Sequence, residues 1–133
     1  MTYKVHEKKT IENPADIANI IQSILIREDK IDQDKEHFYS VGLDSRKRIQ
    51  YIELVSLGTL NASMVHPREL YRRAIMLGVE AIIVAHNHPS GVVEPSEDDL
   101  IVTKRLVKAG EILGIKLLDH IIITSDDYST IPK

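Results

Sequence analysis

The run Ala81-Ile82-Ile83-Val84-Ala85 passes without a break into His86-Asn87-His88-Pro89-Ser90-Gly91, and this junction constrains the fold more than any other part of the chain. Five apolar residues bounded by polar ones fit a buried strand. In extended chain, side chains at i and i+2 point to the same side, so His86 and His88 at the strand's end reach one point in space. Ser96-x-x-Asp99, followed by Leu100, has the form of a helix capping box, so a helix starts there with Asp99 in its first turn. Two imidazoles and one carboxylate make a three-ligand zinc set that leaves a fourth position for water. The eleven-residue step from His88 to Asp99 is long enough to curl back, with bends at Pro89, Gly91 and Pro95.

The rest of the chain fits around this unit. The first ten residues are polar and read as loose or as pairing in an edge strand. Asn13-Pro14 opens a helix, asparagine as N-cap and proline in its first turn, with Ile17, Ile20, Ile21, Ile24 and Leu25 as its core face. Residues 29–35 are charged and read as a plain connection. Strands follow over 37–43 and 50–57, joined by a turn at Asp44-Ser45-Arg46-Lys47. A second helix runs from His66-Pro67 to a C-cap at Gly78. A third runs from Ser96 to about Gly114, with Leu100, Thr103, Leu106, Val107, Gly110 and Leu113 facing inward. Residues 115–118 and 121–123 supply the last strands. The order α-β-β-α-β-α-β predicts an α/β domain with a mixed sheet flanked by helices.

Composition removes several classes. At 133 residues and 43% hydrophobic the chain is large enough for one domain with its own core. Without cysteine it has neither disulfides nor thiolate metal sites, which excludes the zinc signature of cytidine deaminases. The longest apolar runs are about five residues, against the ~20 of a membrane helix, and no apolar signal segment follows Met1. The expectation is a cytoplasmic protein with no membrane partner. A net charge of −3 is not the footprint of a nucleic-acid binder. The basic clusters Arg46-Lys47-Arg48, Arg68/Arg72/Arg73 and Lys104/Arg105/Lys108 read as solvated faces, so direct DNA binding is expected to be weak or absent.

The full string, His-x-His, seven residues, Ser, two residues, Asp, resembles the signature of the JAMM metalloproteases, also called JAB or MPN-plus. His86-Asn87-His88-Pro89-Ser90-Gly91 is similar to the RadC branch in particular. Gly58-Thr59-Leu60-Asn61-Ala62-Ser63, Val65-His66-Pro67-Arg68-Glu69 and Leu118-Asp119-His120 are also phrases typical of RadC-like proteins. The resemblance covers about residues 12–125 and implies one RadC-like JAB/MPN domain over 1–133, with a cytidine-deaminase-like topology. RadC proteins usually carry an N-terminal helix-hairpin-helix region, and none fits here, so the expectation is the catalytic-type domain alone.

The resemblance implies a zinc-dependent hydrolase of peptide or isopeptide bonds, with Zn2+ on His86, His88 and Asp99. It implies a general base from a glutamate just before a strand, where Glu36 stands in Lys35-Glu36-His37-Phe38. Glu53, mid-strand in Tyr51-Ile52-Glu53-Leu54, is the second candidate. It also implies that Ser96 donates to the oxyanion, a role a hydroxyl can combine with capping because it has one donor and two acceptor sites.

His120 reads as a core group or a support for a ligand, with Asp119 or Asp98 as a carboxylate that could take a zinc-bound imidazole's other nitrogen. His66 reads as a helix N-terminal residue, and His6 and His37 as incidental. The substrate would be a peptide or protein, unidentified, and a dimer is compatible with the sequence. The competing reading is a DNA-repair-associated accessory protein of the RadC family without peptidase activity. The letters His-Asn-His do not make an HNH nuclease, whose three residues are spread along a ββα unit.

Overall fold

The computed structural model describes residues 2–3, 9–28, 30–58 and 65–133. His6 and residues 59–63 of the RadC-like phrase lie outside them. The elements are β1 (Thr2–Tyr3), α1 (Pro14–Leu25), α2 (Lys30–Gln33), β2 (His37–Leu43), β3 (Ile49–Leu57), α3 (Pro67–Leu77), β4 (Ala81–Asn87), α4 (Glu97–Leu113), β5 (Lys116–Ile123) and β6 (Tyr128–Thr130). They form a six-stranded sheet in the order β1-β3-β2-β4-β5-β6. Among the described strands only β4 and β5 pair in parallel, joined by the crossover helix α4, so the sheet is mixed and flanked by helices as the sequence predicts.

Strands β2 and β4 lie at the centre and are buried along their whole length. Alternation on β4 splits the core in two. Ile82 and Val84 face α3 and α4, packing with Phe38, Leu70, Tyr71, Val102 and Leu106. Ile83 and Ala85 face α1, packing with Ile17, Ile21, Tyr39, Val41 and Ile121. By the same period of two, His86 continues the α4 face and Asn87 the α1 face. Gly42 on β2 is required by close approach: a Cβ there would stand 2.0 Å from Tyr51 Cε2.

Four expectations need correction. The 29–35 connection contains the short helix α2. The two apolar runs after Gly114 are one strand, β5, with Leu118 as an extra residue where the β4 register jumps from Leu117 to Asp119. That bulge reverses the strand's phase, so Leu117 faces α4, yet Ile121 and Ile123 face α1. A further edge strand, β6, pairs with β5. On α4 the buried stripe is Asp99, Val102, Thr103, Leu106 and Gly110, while Leu100 and Leu113 are 39% and 44% exposed. The helix is rotated to bury the Asp99 end, which moves those two leucines off the core.

Candidate metal centre

Strand β4 delivers His86, fully buried, and the residue after it delivers His88. The loop that follows is pinned at both ends. His88 N–H donates to Ile123 O at 2.9 Å, Gly91 N–H to His88 O at 3.1 Å, and Ser129 Oγ of β6 to Val93 O at 2.5 Å. Gly91 turns the chain at φ 85°, a left-handed conformation that a Cβ strains. Ser96 then caps α4: its Oγ accepts from Asp99 N–H at 3.1 Å, and Asp99 Oδ2 accepts from Ser96 N–H at 2.8 Å. This capping box buries Asp99 and aims its carboxylate at the two imidazoles.

The three side chains meet. His86 Nε2 lies 3.1 Å from Asp99 Oδ1, His88 Nε2 lies 3.1 Å from Asp99 Oδ2, and the two Nε2 atoms are 2.9 Å apart. All candidate ligand atoms fall within 4.8 Å of one another, so His86, His88 and Asp99 can hold a metal ion.

The opposite ring nitrogens decide what each imidazole offers. His88 Nδ1 lies 2.8 Å from Val92 O, a carbonyl that only accepts, so the proton is on Nδ1 and the Nε2 lone pair faces the centre. His86 is set by a longer chain. Thr103 Oγ1 donates to Asp99 O at 2.9 Å, so it accepts from His120 Nδ1 at 2.7 Å. Burial holds His120 well below the ordinary histidine pKa, so it is neutral and its Nε2 accepts from His86 Nδ1 at 2.8 Å. The His86 Nε2 lone pair is therefore also aimed inward.

Phe38 fixes both rings, stacked on His86 at a centroid distance of 5.9 Å and edge-on to His120 at 5.5 Å. Two nitrogen and two oxygen lone pairs so placed repel unless positive charge lies between them. A shared proton answers for one pair, and a divalent cation for all. The proton's share is visible: the bond to Asp99 raises His88 above its ordinary pKa. Burial would lift the Asp99 carboxyl, but the bonds to His86 and His88 outweigh it and hold it below the usual range.

Neither Asp98 nor Asp119 receives a ligand's second nitrogen; that part is played by the His120 ring and the Val92 carbonyl. The bulge in β5 puts His120 in place, a reversal that a strict two-residue period does not foresee. His37, which reads as incidental, is buried, with its Nδ1 2.8 Å from Lys35 O. His66 sits at the N-cap of α3 as expected.

Of the two glutamates, Glu36 lines a cleft of about 380 Å³ together with His88, Ser96, Asp98 and Asp99. Glu53 does not reach that cleft; it is ion-paired with Arg73 of α3 at 2.8 Å. A second groove of about 470 Å³, between the end of α1 and the ends of β4 and β5, also opens onto His88 and Pro89.

Comparison with known proteins agrees with this fold. The RadC-like JAB domain family matches residues 11–132. The chain belongs to that family. Among its relatives, the "UPF0758 protein" of Desulforamulus reducens is 47% identical over 107 residues, 80% of this chain and 47% of the relative. That of Finegoldia magna is 51% identical over 100 residues, 75% of this chain and 45% of the relative. That of Alkaliphilus oremlandii is 47% identical over 128 residues, 96% and 53% respectively. This RadC-like domain thus spans about half the length of the curated relatives it matches, and their shared name states no activity. No helix among its described residues is long and apolar enough to cross a membrane.

Proposed function

We propose that this RadC-like domain is a zinc-dependent hydrolase acting on an amide of the peptide or isopeptide class. The observation that carries the reading is the convergence of the His86, His88 and Asp99 lone pairs beside a cleft that His88, Asp99, Glu36 and Ser96 line. Zinc on these three residues would supply a Lewis acid that brings the pKa of water from 15.7 towards ~7 and polarises a carbonyl. The chain supplies the remainder. Glu36 takes the proton of the attacking water and passes it to the leaving amine. What supports Glu36 over Glu53 is its place in the cleft, which Glu53 does not line. Ser96 accepts from the α4 backbone and keeps its own proton to donate to the oxyanion. The same reading carries a peptide or protein partner and no strong grip on DNA, given a net charge of −3.

Metal analysis of the purified protein, followed by a peptide-library cleavage screen with and without chelator, tests this directly. Bound zinc and chelator-sensitive cleavage are expected. Glu36→Gln should keep the zinc and lower turnover by about 10²–10⁴, the usual share of a general base. Zinc-loaded protein that cleaves nothing in the library would count against the hydrolase. Loss of turnover in Glu53→Gln but not in Glu36→Gln would overturn the base assignment.

A further inference from the structure

The residue between the two histidines points away from them. Asn87 is buried, and its amide bonds the main chain on either side of Glu36. Its Oδ1 accepts from His37 N–H at 2.5 Å, and its Nδ2 donates to Lys35 O at 3.0 Å. β2 and β4 pair from Phe38 opposite His86 onward, so Asn87 stands just where that ladder stops. Its side chain adds one more rung, bridging the groups that flank Glu36. From the other side Gly58 N–H donates to Glu36 O at 2.9 Å. The segment before it is the four-residue helix α2, which contributes no buried residue. Main-chain bonds hold the segment around Glu36, and two of them end on one side chain.

We infer that Asn87 is a positioning residue: it ties the base-bearing segment 35–37 to the ligand-bearing strand, so that the Glu36 carboxylate stays in register with the metal ligands. The inference rests on the hydrolase reading for its catalytic meaning, but the tie itself does not. An asparagine suits this place because one planar amide offers a donor and an acceptor to a carbonyl and an N–H at once. An aspartate keeps only the acceptor and sets a charge against Lys35 O. Alanine removes both bonds: the buried His37 N–H loses its acceptor, and Lys35 O keeps only its contact with His37 Nδ1.

The test uses the whole chain with Asn87→Ala, Asn87→Asp, Glu36→Gln and the double variant Asn87→Ala/Glu36→Gln. Zinc affinity by calorimetry should stay within a few-fold of the parent in each, because no ligand atom changes. In Asn87→Ala and the double variant, amide exchange should accelerate at least about tenfold at His37, with β5 amides unchanged, since only local opening is made easier. The visible spectrum of cobalt-loaded Asn87→Ala should shift in the same direction as that of Glu36→Gln.

With a peptide the parent cleaves, Asn87→Ala should lower kcat by about 10²-fold at unchanged KM, the scale of a misplaced catalytic group. In the Glu36→Gln background the same change should do almost nothing further, because residues acting as one unit are not additive. Additive losses in the double variant would mean that Asn87 acts independently of Glu36, and would overturn the inference. So would a parental cobalt spectrum together with parental exchange at His37. A parent that binds zinc but cleaves no peptide sinks the hydrolase alone, and the exchange and cobalt arms still decide whether Asn87 holds Glu36. Should Asn87→Ala fail to fold, Asn87→Asp carries the cobalt and turnover comparisons through the lost bond to Lys35 O, while exchange at His37, whose acceptor it keeps, should stay near the parent's.

Discussion

The two walls of the cleft are held in different ways. On the wall built by β4 and α4, each ligand is fixed at least twice. His86 is clamped between Phe38 and His120, His88 has its Nδ1 on Val92 O and its N–H on Ile123 O, and Asp99 is locked in a capping box. On the opposite wall Glu36 follows a short surface helix, and bonds from Asn87 and Gly58 hold the main chain around it. The contrast fits the different demands of the two walls. Metal ligands must converge before any ion arrives, which needs buried and redundant bonds. The proposed base would have to carry a proton from one reactant to another, which needs reach more than rigidity.

Removing a ligand should give the largest effect. His88→Ala leaves His86 and Asp99 facing each other without the third donor. Zinc affinity should fall by more than the ~10–100-fold that loss of an outer partner brings, measured by competition with a chromogenic chelator. Retention of parental affinity would show that the wall holds metal through some other set.

Ser96→Ala separates two roles in one residue. As a helix cap it should contribute about 1 kcal/mol to stability. As an oxyanion donor it should be worth ~10²–10³ in rate. Melting curve, zinc content and turnover on one preparation tell these apart. A lowered melt with parental turnover would reduce Ser96 to a cap.

The outer partners of His86 come next. Thr103→Val removes both the bond to His120 Nδ1 and the bond to Asp99 O while keeping the shape. Zinc affinity should drop about 10–100-fold with the ligands untouched. The nitrogen-15 shifts of His86 should report a mixture of tautomers instead of one. A single Nδ1-protonated form in Thr103→Val would mean that the relay does not set the tautomer.

The well-fixed wall is also the part that is legible in the sequence. An apolar run into His86 and His88, then a capping box at Ser96 and Asp99, states both the local structure and the convergence, because both obey short periods. Glu36 is found through resemblance; its own neighbours Asp34 and Lys35 look like any charged surface. His120 and Asn87 are harder still. His120 reaches His86 only because an extra residue in β5 reverses the strand's phase, and nothing in Leu118-Asp119-His120 marks a bulge. Asn87 works through a contact 50 residues away in sequence, with main-chain atoms that leave no trace in residue type. Leu100 and Leu113 mislead for the complementary reason: helical spacing allows several faces, and the buried Asp99 selects a different one.

The smallest expected effect concerns pH and separates the cleft from the far end of the β2–β3 hairpin. In the turn, Asp44 accepts from the backbone N–H of Arg48, from the Arg48 side chain and from Arg46 N–H, which lowers its carboxyl. At α1, Asp16 is lowered by bonds from Glu12 and Asn13 N–H. A carboxyl depressed by folding contributes stability above its unfolded value of about 3.8 and loses it as pH falls through the lower folded value. These two therefore act only on the acid limb. His88 behaves in the opposite sense. Its pKa is raised by Asp99, so in metal-free protein that bond is fully present below about 6.5 and fades as pH rises through the higher folded value. The same proton competes with zinc, so zinc affinity should begin to fall already near neutral pH as pH is lowered. Metal release and unfolding should thus occur in two well-separated windows, followed by chelator competition and by urea midpoints across pH. Asp44→Asn should flatten the acid limb slightly and leave the zinc curve in place. Coincident loss of metal and fold in one acid transition would show that the ligand wall is no more independent of the rest of the fold than the hairpin is.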